Sequence, residues 1–242
     1  MYETAVKNEI NLWKLRMLRK GSRFQRMSKA FQNKVNDKLP EKLHQAVTAS
    51  IRKMVEATVI GSHATTYQKD TSSLTLQQRD GLAADVISKY QKAAALEGAG
   101  TGAGGILLGM ADFPLLLSIK MKCLFELSGV YGFHTGKKEE RYFLLYIFQL
   151  AFSREDKRAE LFDIIENWDQ GDRDKYLLNW QDLQQEYRDH IDLVKMLQVL
   201  PGVGAVVGGT ANYQLIAHLG ECAVNCFRIR LLKGSEGFSA EN

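Results

Sequence analysis

Two apolar, glycine-rich segments a hundred positions apart constrain this chain more than any other feature. GAGGILLGMADFPLLLSI, from Gly102 to Ile119, aligns without a gap on GVGAVVGGTANYQLIAHL, from Gly202 to Leu219. Gly102, Gly104, Gly109, Ala111 and Leu115 recur as Gly202, Gly204, Gly209, Ala211 and Leu215, while Asp112 becomes Asn212 and Phe113 becomes Tyr213. Glycines four apart, at Gly98/Gly102, Gly100/Gly104, Gly105/Gly109 and Gly204/Gly208, leave bare backbone on one face of a helix. Each costs roughly 1 kcal/mol against alanine inside a helix, so the pattern calls for a compensating close contact. Helix against helix at the centre of the fold is the reading preferred here; insertion into or against a bilayer, as in a membrane-inserting glycine-hairpin protein, and a phosphate-binding loop are the alternatives. The loop is disfavoured because no Gly-Lys-Ser/Thr follows GAGTGAGG and no strand precedes it.

The rest of the chain reads as helices. Only Pro40, Pro114 and Pro201 interrupt it. Tyr2, Val6, Ile10, Trp13 and Met17 mark one apolar face of a helix over 2–19, ended by Gly21. Phe24, Met27, Phe31 and Val35 suggest a second, and Leu43, Val47, Ile51 and Val55 a third with Pro40 in its first turn. Residues 61–73 read as a loop. Thr75 and Gln78 form a capping box for the helix that enters the first glycine-rich segment. Asp112 is expected to cap a further helix carrying Pro114 in its first turn and Gly129 and Gly132 near its end. Residues 142–152 are apolar on all sides, as in a central buried helix. Ser153 and Asp156 suggest another cap, and the tail from Lys233 is expected to be loose. No strand-length alternation occurs, so the fold class is all-α: a single helical domain over 1–242 with the two glycine-rich segments packed centrally. Within it we divide a basic arm (1–60), a first glycine-rich unit (74–133), a buried helix with an acidic segment (134–198) and a second glycine-rich unit (199–233).

Charge separates the arm from the body. Residues 1–60 hold thirteen Lys and Arg against five Asp and Glu, and the remainder holds nineteen against twenty-three. Lys14, Arg16, Arg19, Lys20, Arg23 and Arg26 are the candidate contacts for an anionic membrane surface or a partner, or else a solvated helix face. The N-terminal stretch has charges throughout and no signal-peptide core, so a cytoplasmic chain is expected. Cys123, Cys222 and Cys226 read as buried reduced thiols. The uncharged run between Lys195 and Glu221 is long enough to cross a bilayer, but Asn212, Gln214, His218 and its glycines make it poor hydrocarbon filler.

Candidate chemistry is sparse. His218, Cys222 and Cys226 share a helix face at metal-ligand spacing, with Glu126 as a conceivable fourth ligand, but read as a buried stripe; no metal or cofactor is expected. Asp112, Glu126 and Tyr131 are the candidate polar site, and they carry the alternative of a hydrolase-like enzyme. No nucleic-acid-binding module accompanies the basic arm.

Three stretches together resemble the EcsC family: Gly109-Met-Ala-Asp112-Phe-Pro114; the following LLLSI with Glu126, Tyr131 and Gly132; and PGVGAVVGGTANY with FRIRLL, around Pro201, Asn212, Phe227 and Arg230. The resemblance implies a bacterial protein encoded beside the ATPase and membrane subunits of an ABC transporter linked to secretion, and it supplies no catalytic residues. Its implied role is a non-enzymatic accessory or regulatory protein, peripheral at the inner face of the membrane, with transporter subunits or another membrane protein as partner.

Overall fold

The computed structural model describes residues 2–19, 41–60, 70–101, 105–153, 156–170 and 204–239. Among these residues the chain forms seven helices and no sheet: α1 (Tyr2–Leu18), α2 (Glu41–Ile60), α3 (Leu76–Thr101), α4 (Gly105–Val130), α5 (Lys138–Phe152), α6 (Arg158–Glu166) and α7 (Gly204–Ser239). The all-α expectation holds. None of these helices is long and apolar enough to cross a membrane.

Periodicity accounts for α1 and burial accounts for α5. Val6, Ile10, Trp13 and Met17 are buried along one face of α1. Each such burial is worth roughly 1.5–3 kcal/mol, enough to hold the helix on the body. Trp13 meets Phe162 of α6 edge-on, ring centroids 5.2 Å apart. Tyr2, by contrast, is exposed and turns its hydroxyl to Asp80. Every residue of α5 from Glu140 to Phe152 is buried, so this helix runs through the core as its unbroken apolar sequence predicts.

Helices α3, α4 and α7 form the centre. The contacts Asp80–Arg228, Ile87–Gly220 and Glu97–Asn212 run in opposite directions along α3 and α7, so the two lie antiparallel over their length. Among the described helices they make the most extensive contact, and α4 packs on both. The capping box that opens α3 is present: Gln78 N–H donates to the Thr75 hydroxyl (3.3 Å), and Thr75 N–H donates to Gln78 Oε1 (2.9 Å). At the end of α4, Gly132 has φ +87°; its N–H donates to Gly129 O, and Phe133 N–H donates to Ser128 O. This is a Schellman closure, which favours glycine at that position.

Three local expectations are corrected. Asp112 does not begin a helix: α4 starts at Gly105 and runs through Asp112, with Pro114 inside it. An interior proline removes one backbone bond and costs about 3 kcal/mol. Buried Phe113, Leu116 and Leu117 on the same helix offset that cost. Ser153 does not cap α6. It ends α5, and its hydroxyl donates to Leu150 O (3.2 Å). Finally, α7 continues past Lys233 to Ser239 instead of ending in a loose tail. The helix expected over Phe24–Val35, Pro40, the loop residues 61–69 and most of the acidic stretch, including Tyr176, Leu177, Trp180 and Leu183, lie outside the described residues.

Candidate functional site

A polar cluster joins four segments at one carboxylate. Asp80, near the start of α3, receives Arg228 Nε (3.1 Å) and Nη2 (3.0 Å) from α7, the Tyr2 hydroxyl from α1 (2.7 Å), and the hydroxyl of Tyr131, just beyond α4. Arg228 Nη1 also donates to Glu9 of α1 (3.1 Å). Burial, and then the bond to Asp80, push the Tyr131 phenol well above its usual range. Burial works against the Arg228 cation, but its bonds to Asp80 outweigh that and hold it more firmly protonated than usual. Each Asp80 oxygen accepts two hydrogen bonds, so no lone pair is left to take a proton from a substrate. The arrangement is a clasp that joins α1, α3 and α7 to the end of α4.

Beside the clasp, α1, α3 and α7 line an open groove of ≈ 680 Å³. Leu12, Ala84, Ile87, Ala217 and Val224 give it an apolar lining, and Glu9, Arg16, Glu221 and Arg228 stand around it. Those charges are matched in pairs, Arg16 with Glu221 (2.9 Å) and Arg228 with Glu9.

The sequence-predicted polar site is dispersed. Glu126 receives Lys89 Nζ (2.7 and 3.0 Å) and the Tyr90 hydroxyl (2.8 Å), while Tyr131 turns to Asp80. The two therefore serve different clusters. Asp112 lies in α4, with its side chain outside the described set. His218, Cys222 and Cys226 do line one face of α7. His218 Nε2 is 2.9 Å from Ala151 O, so it donates there, and Cys222 Sγ is 4.0 Å away. Burial pushes the Cys123 thiol up to about 12 and those of Cys222 and Cys226 well above the usual thiol range, which keeps all three protonated. Among the described residues, no cluster of three or more His, Cys, Asp or Glu is placed to hold a metal ion.

Of the glycines singled out, Gly102, Gly104 and Gly202 lie outside the described residues. Gly105 and Gly204 begin α4 and α7, Gly109 and Gly208 lie within those helices, and Gly209 is buried. The close approach that the structure does show is at Gly220, where a Cβ would stand 2.7 Å from Ile87 of α3. The signal for it was the row Ala217, Gly220, Ala223, small residues three apart in an otherwise helix-favouring run. Asn212, paired with Asp112 in the repeat, caps nothing; it lies inside α7, and its amide donates to Glu97 Oε2 (3.0 Å).

Near that pair lies a residue the sequence reading passed over. Lys120 of α4 is fully buried, and its amine has no hydrogen-bond partner. Nζ sits 4.8 Å from the Phe152 ring centroid. Burial lowers its pKa to about 7, against the opposing pull of Glu97.

The basic arm is partly committed. Lys14 pairs with Glu166 and Arg16 with Glu221. Arg19 is exposed, and Lys20, Arg23 and Arg26 lie outside the described residues.

Comparison with known proteins covers most of the chain. The EcsC protein family matches residues 4–232. The protein EcsC of Bacillus subtilis (strain 168) is 58% identical over 225 residues, 93% of this chain and 94% of its own length. The uncharacterized protein YdbA of the same organism is 26% identical over 166 residues, 67% of this chain and 61% of its own length. No solved structure matches. The match across nearly the whole sequence places the chain in the EcsC protein family.

Proposed function

We propose that the chain is a non-enzymatic accessory or regulatory protein, working at the cytoplasmic face of the membrane with the subunits of an ABC transporter linked to secretion. The observation that carries the non-enzymatic part is the commitment of its carboxylates. Asp80 is filled by Tyr2, Tyr131 and Arg228, and Glu126 is held by Lys89 and Tyr90. Such groups join helices; they do not exchange protons with a substrate. The hydrolase-like alternative needs Glu126 available to act with Asp112, and Glu126 has its partners inside the fold.

The membrane part draws support from the basic excess of residues 1–60 and from exposed Arg19 at the end of α1. Positive charge in this position favours an anionic surface. The transporter part rests on what the family resemblance implies and is open to direct test. The full chain carrying an affinity tag should, after mild crosslinking in intact cells and detergent extraction, co-purify the ATPase or membrane subunit of a transporter. Recovery of the tagged chain alone from the membrane fraction, at a level equal to an unrelated tagged control, would sink the proposal.

A further inference from the structure

The structure assigns to the outward face of α1 a docking surface for an anionic lipid bilayer, with Leu12, Leu15 and Leu18 as the inserting side chains. A helix that buries one face in a globular protein ordinarily presents polar residues on the other. Here Val6, Ile10, Trp13 and Met17 fill the inner face, and Leu15 lies roughly opposite the middle of that stripe. Leu12, Leu15 and Leu18 are nevertheless 63%, 66% and 36% exposed. Steps of three residues make Leu12 and Leu18 neighbours of Leu15 on either side, in a row that slants across the face by about 60° per step, and Leu12 at one end also borders the apolar groove against α3 and α7. The second half of α1 carries them, flanked by Asn11; the first half turns Thr4 and Asn8 outward.

Charge selects the occupant. Arg19 is exposed beside the leucines, Arg16 is exposed as well but already paired with Glu221, and Lys20, Arg23 and Arg26 follow directly in the sequence. An apolar row edged by arginines fits the boundary between acyl chains and headgroups: leucines enter the first, and guanidinium groups on long stems reach phosphates in the second. The clasp at Asp80 and the Lys14–Glu166 pair fix α1 to the body, so the row is presented by a preformed helix. The inner-face membrane comes from the functional reading above; the lipid-binding face itself stands on these side chains.

The test uses the full chain with two vesicle preparations, phosphatidylcholine alone and an equal mixture with phosphatidylglycerol. The wild-type chain should sediment with the anionic vesicles, weakly with the neutral ones, and less as salt is raised. Leu12→Gln with Leu15→Gln removes apolar contact without adding charge, and should weaken binding roughly tenfold or more while leaving thermal melting unchanged. Leu15→Trp should bind at least as tightly as wild type and shift its added fluorescence to the blue on anionic vesicles. Wild-type protein left in the supernatant with both preparations overturns the inference. So does a double glutamine variant that binds like wild type, or a tryptophan at position 15 whose emission does not move. A chain that binds vesicles through these leucines but captures no transporter subunit defeats the transporter reading and leaves this one standing; the reverse pattern defeats this one alone.

Discussion

Two buried cations, Arg230 and Lys120, meet opposite environments within one helical core. Arg230 donates to Glu140 (2.7 and 3.1 Å) and to Asp169 (2.7 and 2.8 Å), and its guanidinium carbon lies 4.0 Å and 4.3 Å from the ring centroids of Phe133 and Phe143. Burial alone would disfavour the cation; the bonds to Asp169 and Glu140 outweigh it and raise its pKa. Lys120 has one aromatic face, a carboxylate acting from a distance, and no hydrogen bond. The difference follows from the side chains. A planar fork can satisfy two carboxylates and still stack on rings. A compact ammonium sheds its proton instead when burial outruns its partners. One site locks α7 to α5, and the other leaves α4 with a stored electrostatic cost.

The largest effect expected is at the locked site. Arg230→Ala leaves Glu140 buried and unpaired, and should cost about 3–5 kcal/mol in urea-induced unfolding. Arg230→Lys should recover little of it, because a single ammonium cannot hold both carboxylates and the ring stack. A loss below about 1 kcal/mol for alanine would mean that the two sites do not differ in kind.

At Lys120 the sign reverses. Its pKa falls from 10.5 to about 7 on folding, so between those values the unfolded chain binds more protons than the folded one. Stability should therefore rise with pH across that window, and the full penalty should apply below it. Lys120→Met removes the group, and should stabilise the protein at pH 7 and below by roughly 2–4 kcal/mol while flattening this part of the profile. Unfolding curves between pH 6 and 10 that are parallel for the two proteins would show that Lys120 is solvated.

Gly220 tests the seam that holds the two sites in one body. Gly220→Ala places a methyl 2.7 Å from Ile87, whose branching at Cβ restricts its escape within α3. A cost of about 1–3 kcal/mol is expected, largely recovered by adding Ile87→Ala. An alanine variant that melts with the wild type would show that α3 and α7 can part cheaply.

What was legible beforehand divides along the same physical lines. Val6, Ile10, Trp13 and Met17, the Thr75–Gln78 box, and the all-round apolar run of α5 are local signals, and each appears in the structure. Pro114 misled because a proline at a helix start and a proline inside a helix look alike locally; buried Leu116 and Leu117 decide between them. The clasp was illegible because Asp80 meets Tyr131 across 51 positions and Arg228 across 148. Lys120 was hidden in a different way. It follows the apolar LLLSI and stands two residues before exposed Lys122, so composition alone gives both the same solvated reading.

The smallest effect concerns Glu97, the carboxylate that acts on Lys120 among the described residues. Glu97 raises the lysine's pKa, against the larger effect of burial. Glu97→Gln withdraws that support, so the folded pKa should fall further below 7 and the window of rising stability should widen toward acid. Glu97 also accepts from Asn212, and glutamine retains a carbonyl for that bond. The electrostatic part should therefore be separable from the packing part by a double-mutant cycle. In the Lys120→Met background the same substitution should lose its pH-dependent component, leaving a pH-independent remainder of about 0.5–1 kcal/mol. If the pH-dependent part persists without Lys120, Glu97 acts through another group, and the contrast between a matched and an unmatched buried cation must be drawn around that group instead.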